Sequence, residues 1–415
     1  MAQDRAIRTE LEGTVVIDEG LAVEVAPRKE PATPAEWVRE NLFSSWFSTV
    51  LTVVLAAVIG YVGFGLIRWV FVAAEWQVFK ANLRVYMIGR FPLEEAWRVW
   101  ASVYLVSILA GLSWGVSRAR LAWTRRKTAL RAVLGALFLA ALTYLIEGVT
   151  VWILLLGVAV ACAAGFAAGR RTGRGALRWL AVAWLLAFPA VILLLRAFGG
   201  VPPQLWGGFM LNVILAVVAI FVSFPIGVLL ALGRRSNLPV ISAFCVGFIE
   251  LVRGVPLFTL IILGFNILPL LLPPGMQLAV IVRMMIVFTL FSSAYVAEIV
   301  RGGLQGVHQG QYEAARAVGL STTRMMGLII LPQALRNTIP AMISHFISLF
   351  KDTSLLTALA ILEMLRAARR AAGQLQHLGS TKEALLAAAV IFWIVAFSMS
   401  RWSQRLERRL GVGER

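Results

Sequence analysis

The sequence predicts an all-α polytopic membrane protein, and three observations carry that reading. Hydrophobic residues make up 60% of the 415-residue chain and charged residues only 14%, with a mean hydropathy of +0.82; soluble domains hold about 25% charged residues. Continuous apolar runs have the length of about twenty residues that a membrane-crossing helix needs, and they lack the alternation of an outer-membrane strand. Lys and Arg outnumber Asp and Glu by 39 to 21, and they cluster in short connections. That pattern marks cytoplasmic loops and argues against a nucleic-acid surface. Cys162 and Cys245 fall in apolar runs, and His308, His345 and His377 lack metal-ligand spacing. Neither a disulfide framework nor a metal site is expected.

Taken in order, residues 1–45 form a polar tail whose first forty residues hold nine acids and five bases. No apolar h-region follows Met1, so a cytoplasmic tail is expected and not a cleaved leader. Ten spans then follow, near 47–70, 99–117, 129–147, 149–168, 178–198, 208–232, 240–270, 278–300, 334–357 and 383–404. The seventh run exceeds one span and contains Arg253-Gly254-Val255-Pro256, so Pro256 should break it. With the N-terminus inside, the basic clusters at 118–131, 170–178, 234–235 and 401–409 all face the cytoplasm. Two connections disagree. Residues 71–98 (Lys80, Arg84, Arg90, Arg98) and 358–382 (Arg366, Arg369, Arg370, Lys382) fall outside yet are basic. The second sets Leu359, Leu362, Met364 and Leu365 beside its arginines, the pattern of an interfacial helix.

Spans one to five carry almost no buried polar residues, their ionisable residues cluster at ends and loops, and they read as scaffold or lipid-facing packing. Spans six to ten carry Asn212, Glu250, Arg253, Arg283, Glu298, His345, Lys351 and Asp352 in or beside apolar sequence. An unpaired charge at mid-membrane costs about 3 kcal/mol on insertion scales, so function is sought in this half.

Between spans eight and nine lies a stretch that is not span-like. A short helix is expected from about Gln311 to Val318, stopped by a left-handed Gly319, with Ser321 capping a second helix. Glu313 is placed in the first turn, where the helix dipole favours an acid. Ala314, Ala315, Ala317 and Gly319 keep the helix small enough for another backbone to approach. The spacing alone fits a docking helix and an ordinary interhelical loop equally well.

Phe291 to Glu363 resembles the membrane subunits of ABC importers, specifically the polar amino-acid uptake family. Glu313-Ala314-Ala315 with Gly319 is similar to that family's EAA–G loop. Around it stand Ala297-Glu298, Arg301-Gly302-Gly303, Gly310-Gln311, Leu331-Pro332-Gln333-Ala334 and Lys351-Asp352-Thr353-Ser354-Leu355. Arg253-Gly254-Val255-Pro256 resembles the family's RGTP element with Val255 in place of Thr, and Gly207-Gly208 opens span six as expected. Gly89-Arg90-Phe91-Pro92, in the long N-terminal half, is similar to the larger permease of general L-amino-acid systems.

The resemblance implies a multi-pass inner-membrane permease for L-amino acids, not an enzyme. It would divide into a tail (1–45), an N-terminal transmembrane extension (46–198), a permease domain (199–404, with its EAA loop at 301–333) and a short C-terminal tail (405–415). The implied partners are an ABC ATPase dimer, which would bind ATP and Mg, a second permease, a periplasmic amino-acid-binding protein and the bilayer. No cofactor and no nucleic acid is implied for this chain itself. Its five lysines include none in a G-x-x-x-x-G-K-[ST] loop, in keeping with an external motor. Coupling to that motor is carried onto Glu313, Ala314, Ala315 and Gly319.

Span nine supplies a substrate-path expectation. Asn337, Ala341, His345, Ser348 and Asp352 step by 4, 4, 3 and 4, the spacing of one helix face. Tyr295 and Ser292 on span eight complete the site, and the family's cavity between these spans matches Tyr295, His345 and Asp352 by position. Lys351 and Asp352 are read either as an outer-interface structural pair or as part of a polar wall. Glu298 and Arg301 are expected to pair; Glu250 and Arg253 either stabilise the broken backbone or act in a gate. The alternative function is a stand-alone carrier or channel for a small polar solute. Such a carrier needs its own driving-ion site and usually shows inverted repeats, neither of which the sequence displays. A membrane-embedded enzyme would need a nucleophile–base or metal constellation, and none is present.

Overall fold

The structure, a computed structural model, describes residues 14–16, 22–24, 33–118, 149–172 and 177–410. The expected span at 129–147 and most of the N-terminal tail lie outside these residues. The chain forms two units, divided between Ala74 and Glu75.

The first unit holds a short antiparallel pair, Thr14–Val16 with Ala22–Glu24, and two helices. Helix α1 (Pro34–Leu42) starts at a capping box made by Thr33 and Glu36, which satisfies two of the amide donors a helix start leaves open. Helix α2 (Trp46–Arg68) starts on a similar Ser45–Ser48 box and ends in a π-turn through Ala73. It is apolar on every face, as a span is.

The second unit begins with two short helices, α3 (Gln77–Ala81) and α4 (Leu83–Ile88). Three spans follow: α5 (Ala96–Arg118), α6 (Val149–Thr172) and α7 (Leu177–Arg196). Helices α5 and α6 pack backbone to backbone. A Cβ at Gly111 would sit 2.1 Å from the Cys162 carbonyl oxygen, and one at Gly165 would sit 2.2 Å from that of Ile108; Gly115 and Gly169 repeat the contact one turn on. Small residues four apart on both helices permit this approach.

Further helices complete the second unit. They are α8 (Gly208–Arg234), α9 (Pro239–Gly254), α10 (Leu257–Asn266) and α11 (Val280–Gln305), followed by α12 (Gln309–Ala317), α13 (Leu331–Asp352), α14 (Met364–Ala372) and α15 (Thr381–Leu410). As expected from Pro256, α9 and α10 are one run broken by a bend of 102°. Seven of the described helices are long and apolar enough to cross a membrane, and the bent pair adds an eighth. Helix α13 has 22 residues, about 33 Å at 1.5 Å per residue. It packs on both α11 and α15 but carries a polar face that lowers its hydropathy. The sequence count of ten is therefore approximate.

The two basic connections that break the charge pattern meet each other at the outer end. Val78, Phe79 and Tyr86 of α3–α4 share a buried cluster with Met364, Ala368, Ala371 and Ala372 of α14 and with Ala384, Ala387 and Ala388 of α15. Helix α14 therefore buries its small apolar face in protein, not in the bilayer interface as its pattern suggested. The basic residues there are partly structural. Arg98 is 7% exposed, pairs with Glu95 at 2.5 Å and donates to the carbonyls of Leu194, Ala197 and Phe198. It thereby satisfies acceptors that the C-terminus of α7 leaves open. Gly208, with φ +58, starts α8; its N–H donates to the Leu362 carbonyl at 2.8 Å, and a Cβ there would meet the Tyr86 carbonyl at 2.5 Å.

Candidate functional site

Helix α12 begins two residues earlier than the sequence suggested. His308 is its N-cap, with Nδ1 accepting from the Gly310 N–H at 3.1 Å. Glu313 therefore lies in the second turn, beyond the reach of the dipole argument. Gly319 takes the left-handed conformation at φ +78 and the chain turns as expected. Ser321 occupies an N-cap position but makes no side-chain cap bond. Glu313, Ala314 and Gly319 are exposed, and Val318 is 80% exposed. Ala315 is a correction to the docking set: it is 3% exposed and packs in the core with Tyr312, Met325 and Ile330. Tyr312 ties the helix to the core, since its hydroxyl donates to the Leu304 carbonyl at 3.1 Å and accepts from Arg235 at 3.3 Å.

From α12 the chain passes through a helical turn (Thr322–Met325) and a π-turn (Met326–Ile330) directly into α13. Beneath α13 lies a polar file. The His345 ring stacks on Tyr295 at 5.4 Å and 6°, and His345 Nε2 lies 3.0 Å from Ser292 Oγ. Ser292 Oγ is in turn 2.8 Å from Ser223 Oγ. The file joins α8, α11 and α13 through groups that would be costly to leave unpaired in an apolar core. Tyr295, His345 and Ser292 were anticipated from sequence; Ser223 was not, because a lone Ser in an apolar run carries no pattern.

The expected face of α13 does not hold together. Asn337, Ala341, Ser344, Ser348 and Lys351 are exposed, while His345 turns inward to its file. Ser348 bonds only back to the Ser344 carbonyl, at 3.2 Å. Asp352 is half-buried at the end of the helix, and among the described residues no ion pair joins it or Lys351 to another side chain. On a helix of 3.6 residues per turn, His345 lies about 80° from Asn337, whereas the exposed five stay within about 40° of it.

At the cytoplasmic end the remaining candidates form one ionic cluster. Glu298 accepts from Arg301 Nε at 3.0 Å, the expected pair, and also faces Arg253 at 3.6 Å and Arg234 at 3.5 Å. Arg234 reaches Glu250 at 3.1 Å. Glu250 and Arg253 thus tie α9, beside its break, to α8 and α11. Arg253 also lies 5.7 Å from the Tyr295 ring centre, linking the cluster to the polar file.

At the outer end, sequence reasoning missed a buried hub. Glu363 is fully buried and caps α14, accepting from the N–H groups of Leu365 at 2.9 Å and Arg366 at 2.6 Å and from Asn212 Nδ2 at 3.2 Å. Asn212 Nδ2 also donates to Thr353 Oγ1 at 2.9 Å, and its Oδ1 accepts from the Met364 N–H. Burial, more than any neighbouring charge, pushes the Glu363 carboxyl up to about 7. The signal available was Asn212 within span six, whose partners stand some 140 to 150 residues away.

Seven or eight helices of membrane-crossing length, with a polar file between three of them, make a multi-pass membrane bundle. Residues 223–412 match the family of binding-protein-dependent transport system inner membrane components. The chain is 35% identical over 394 residues to an inner membrane amino-acid ABC transporter permease protein, YhdY, of Escherichia coli (strain K12). That alignment covers 91% of this chain and 93% of the relative. It is 33% identical over 428 residues to the glutamate/glutamine/aspartate/asparagine transport system permease protein BztC of Rhodobacter capsulatus, covering 93% of this chain and 96% of that one. The probable glutamine ABC transporter permease protein GlnP of Bacillus subtilis is 36% identical over 205 residues, covering 49% of this chain and 93% of GlnP. The chain belongs to the family of amino-acid ABC transporter permeases, and it is an inner-membrane, multi-pass permease subunit.

Proposed function

We propose that this chain carries L-amino acids across the inner membrane when an external ATPase dimer moves α12. The observation that carries this is the continuity of an exposed, small-faced cytoplasmic helix with α13, and of α13 with the His345–Tyr295–Ser292 file. ATP and Mg would be bound by the ATPase, whose closure displaces Glu313, Ala314 and Gly319. Tyr312 and the Thr322–Ile330 turns carry that displacement to α11 and α13. The exposed stripe Asn337, Ala341, Ser344, Ser348 and Lys351 is too polar for lipid. It faces a second permease subunit and, with Asp352 at its end, lines the path between the two, while the inward-turned Tyr295–His345 pair backs that path from within this chain. Release of Glu298 from its three arginines opens the cytoplasmic end, so Glu250, Arg253 and Glu298 act as a gate. A periplasmic binding protein delivers the amino acid at the outer end. By this reading residues 46–198 remain a scaffold extension and 199–404 the permease domain.

A ligand shifts such a two-state system only through its different affinity for the two states, and a polar file between moving helices supplies that difference. The test is uptake of a panel of labelled L-amino acids into proteoliposomes holding the full complex. Uptake is expected only with ATP on the ATPase side and with the binding protein present. Uptake by this chain alone, driven by an ion gradient, would favour the stand-alone carrier.

A further inference from the structure

A cavity of about 190 Å³ opens at the outer end, between α3–α4 and α14. Arg84, Arg90 and Arg370 all line it, and no acidic residue does. Its wall includes Asn82 and Gln374, whose amides hold each other through two hydrogen bonds of 2.8 and 3.2 Å. Arg84 donates to the Phe91 carbonyl at 3.0 Å, and among the described residues none of the three arginines forms an ion pair. Three arginines lining one cavity, with no acid among the lining residues, give it a net positive charge that an anion would offset. They also stand on the side of the membrane where the positive-inside rule expects few basic residues. Arg98, in the same connection, is explained as a helix cap; these three are not.

The depth of the cavity is fixed by its neighbours. Gly89, in its lining, abuts Gly207, the residue before span α8: a Cβ on Gly89 would sit 2.5 Å from the Gly207 Cα. Gln374, also in the lining, precedes the start of α15 by seven residues. The cavity therefore lies at the end of the bundle where span α8 begins, the level at which a headgroup would sit. Directly after Gln374 of the lining, Leu375 is 90% exposed, and Leu378 is 66% exposed. Exposed leucines next to a cationic cavity suit the acyl chain of a bound lipid.

We propose that this cavity is a headgroup site for an anionic phospholipid of the outer leaflet. Arg84, Arg90 and Arg370 donate to its phosphate, in the forked geometry that makes Arg the usual phosphate partner. Leu375 and Leu378 lie along its acyl chain. Because α3–α4 come from the N-terminal extension and α14 from the permease core, the lipid links the two.

The test compares melting of the full complex in nanodiscs of phosphatidylcholine alone and with phosphatidylglycerol, alongside native mass spectrometry of retained lipid. Wild type is expected to melt several degrees higher with phosphatidylglycerol and to retain it. The triple variant Arg84→Gln/Arg90→Gln/Arg370→Gln should lose both the shift and the retained lipid. Arg366→Gln, an exposed arginine of α14 outside the cavity, should keep them. If the triple variant fails to assemble, the single Arg90→Gln, at an exposed side chain, should still reduce the shift. An undiminished shift in these variants overturns the proposal. So does an equal shift produced by inorganic phosphate in phosphatidylcholine discs, which would mark a free-anion site. Loss of binding-protein affinity in the triple variant with lipid retention intact would mark a protein-docking site instead, and also overturns it.

Discussion

Glu363 shows how one residue sets a pH dependence. The folded chain holds its proton more tightly than the unfolded chain, where the carboxyl titrates near its ordinary 4.5. Stability from this group is therefore fully present below about 4.5 and declines as pH rises through about 7. Glu363→Gln removes the titration while keeping one acceptor for the α14 cap. The melting temperature of the complex is expected to fall less across that window in the variant than in wild type; identical slopes would show that Glu363 does not titrate there. His345 makes a second, separate prediction. His345→Phe keeps a ring against Tyr295 but removes the contact to Ser292, whose hydroxyl keeps only Ser223 as a partner, so the file is cut from α13. Uptake is expected to fall by about tenfold or more while assembly stays normal, and unchanged uptake would remove His345 from the path.

The helix pair α5–α6 carries the clearest prediction among the elements. A Cβ at Gly111 would land 2.1 Å from a backbone oxygen, so Gly111→Val must push the pair apart, an overpacking cost of about 1–3 kcal/mol. Thermal unfolding of the complex should register it, whereas Gly63→Val, at an open position on α2, should not; equal effects would contradict the close packing. For α12, Gly319→Val places a β-branched residue at positive φ, at about 1–3 kcal/mol of strain. It is expected to weaken ATPase pull-down and uptake together. Much of α12 was legible because a Gly stop and small side chains act locally. The inward turn of Ala315 was not, since the rotation of a nine-residue helix is set by what Tyr312 and Met325 pack against. The same holds for α13: its polar positions were readable, but whether His345 faced a cavity or a neighbouring helix depended on Ser292 and Tyr295, some fifty residues away. The glycines of α5 and α6 stand four apart in the sequence, yet only the fold shows that the two helices are partners.

At the scale of the whole molecule, membrane class and family were readable, because they rest on composition and on runs of local motif. The two outer basic connections were not, because their charges are answered by tertiary partners: Arg98 by carbonyls of α7, and the α14 face by α3, α4 and α15. Deletion of the N-terminal residues 1–40 is expected to leave uptake largely intact; complete loss at normal expression would contradict this. In the proposed mechanism the exposed face of α12 receives the ATPase and drives the polar file. Site-specific cross-linking in the assembled complex tests it most directly, with Cys162 and Cys245 first replaced by Ser and single cysteines then placed at Ala314, Val318 or Ala315. The account predicts ATPase cross-links that change with ATP at Ala314→Cys and Val318→Cys, and none at the buried Ala315→Cys. Cross-links at none of the exposed positions, in a complex that still transports, would contradict it.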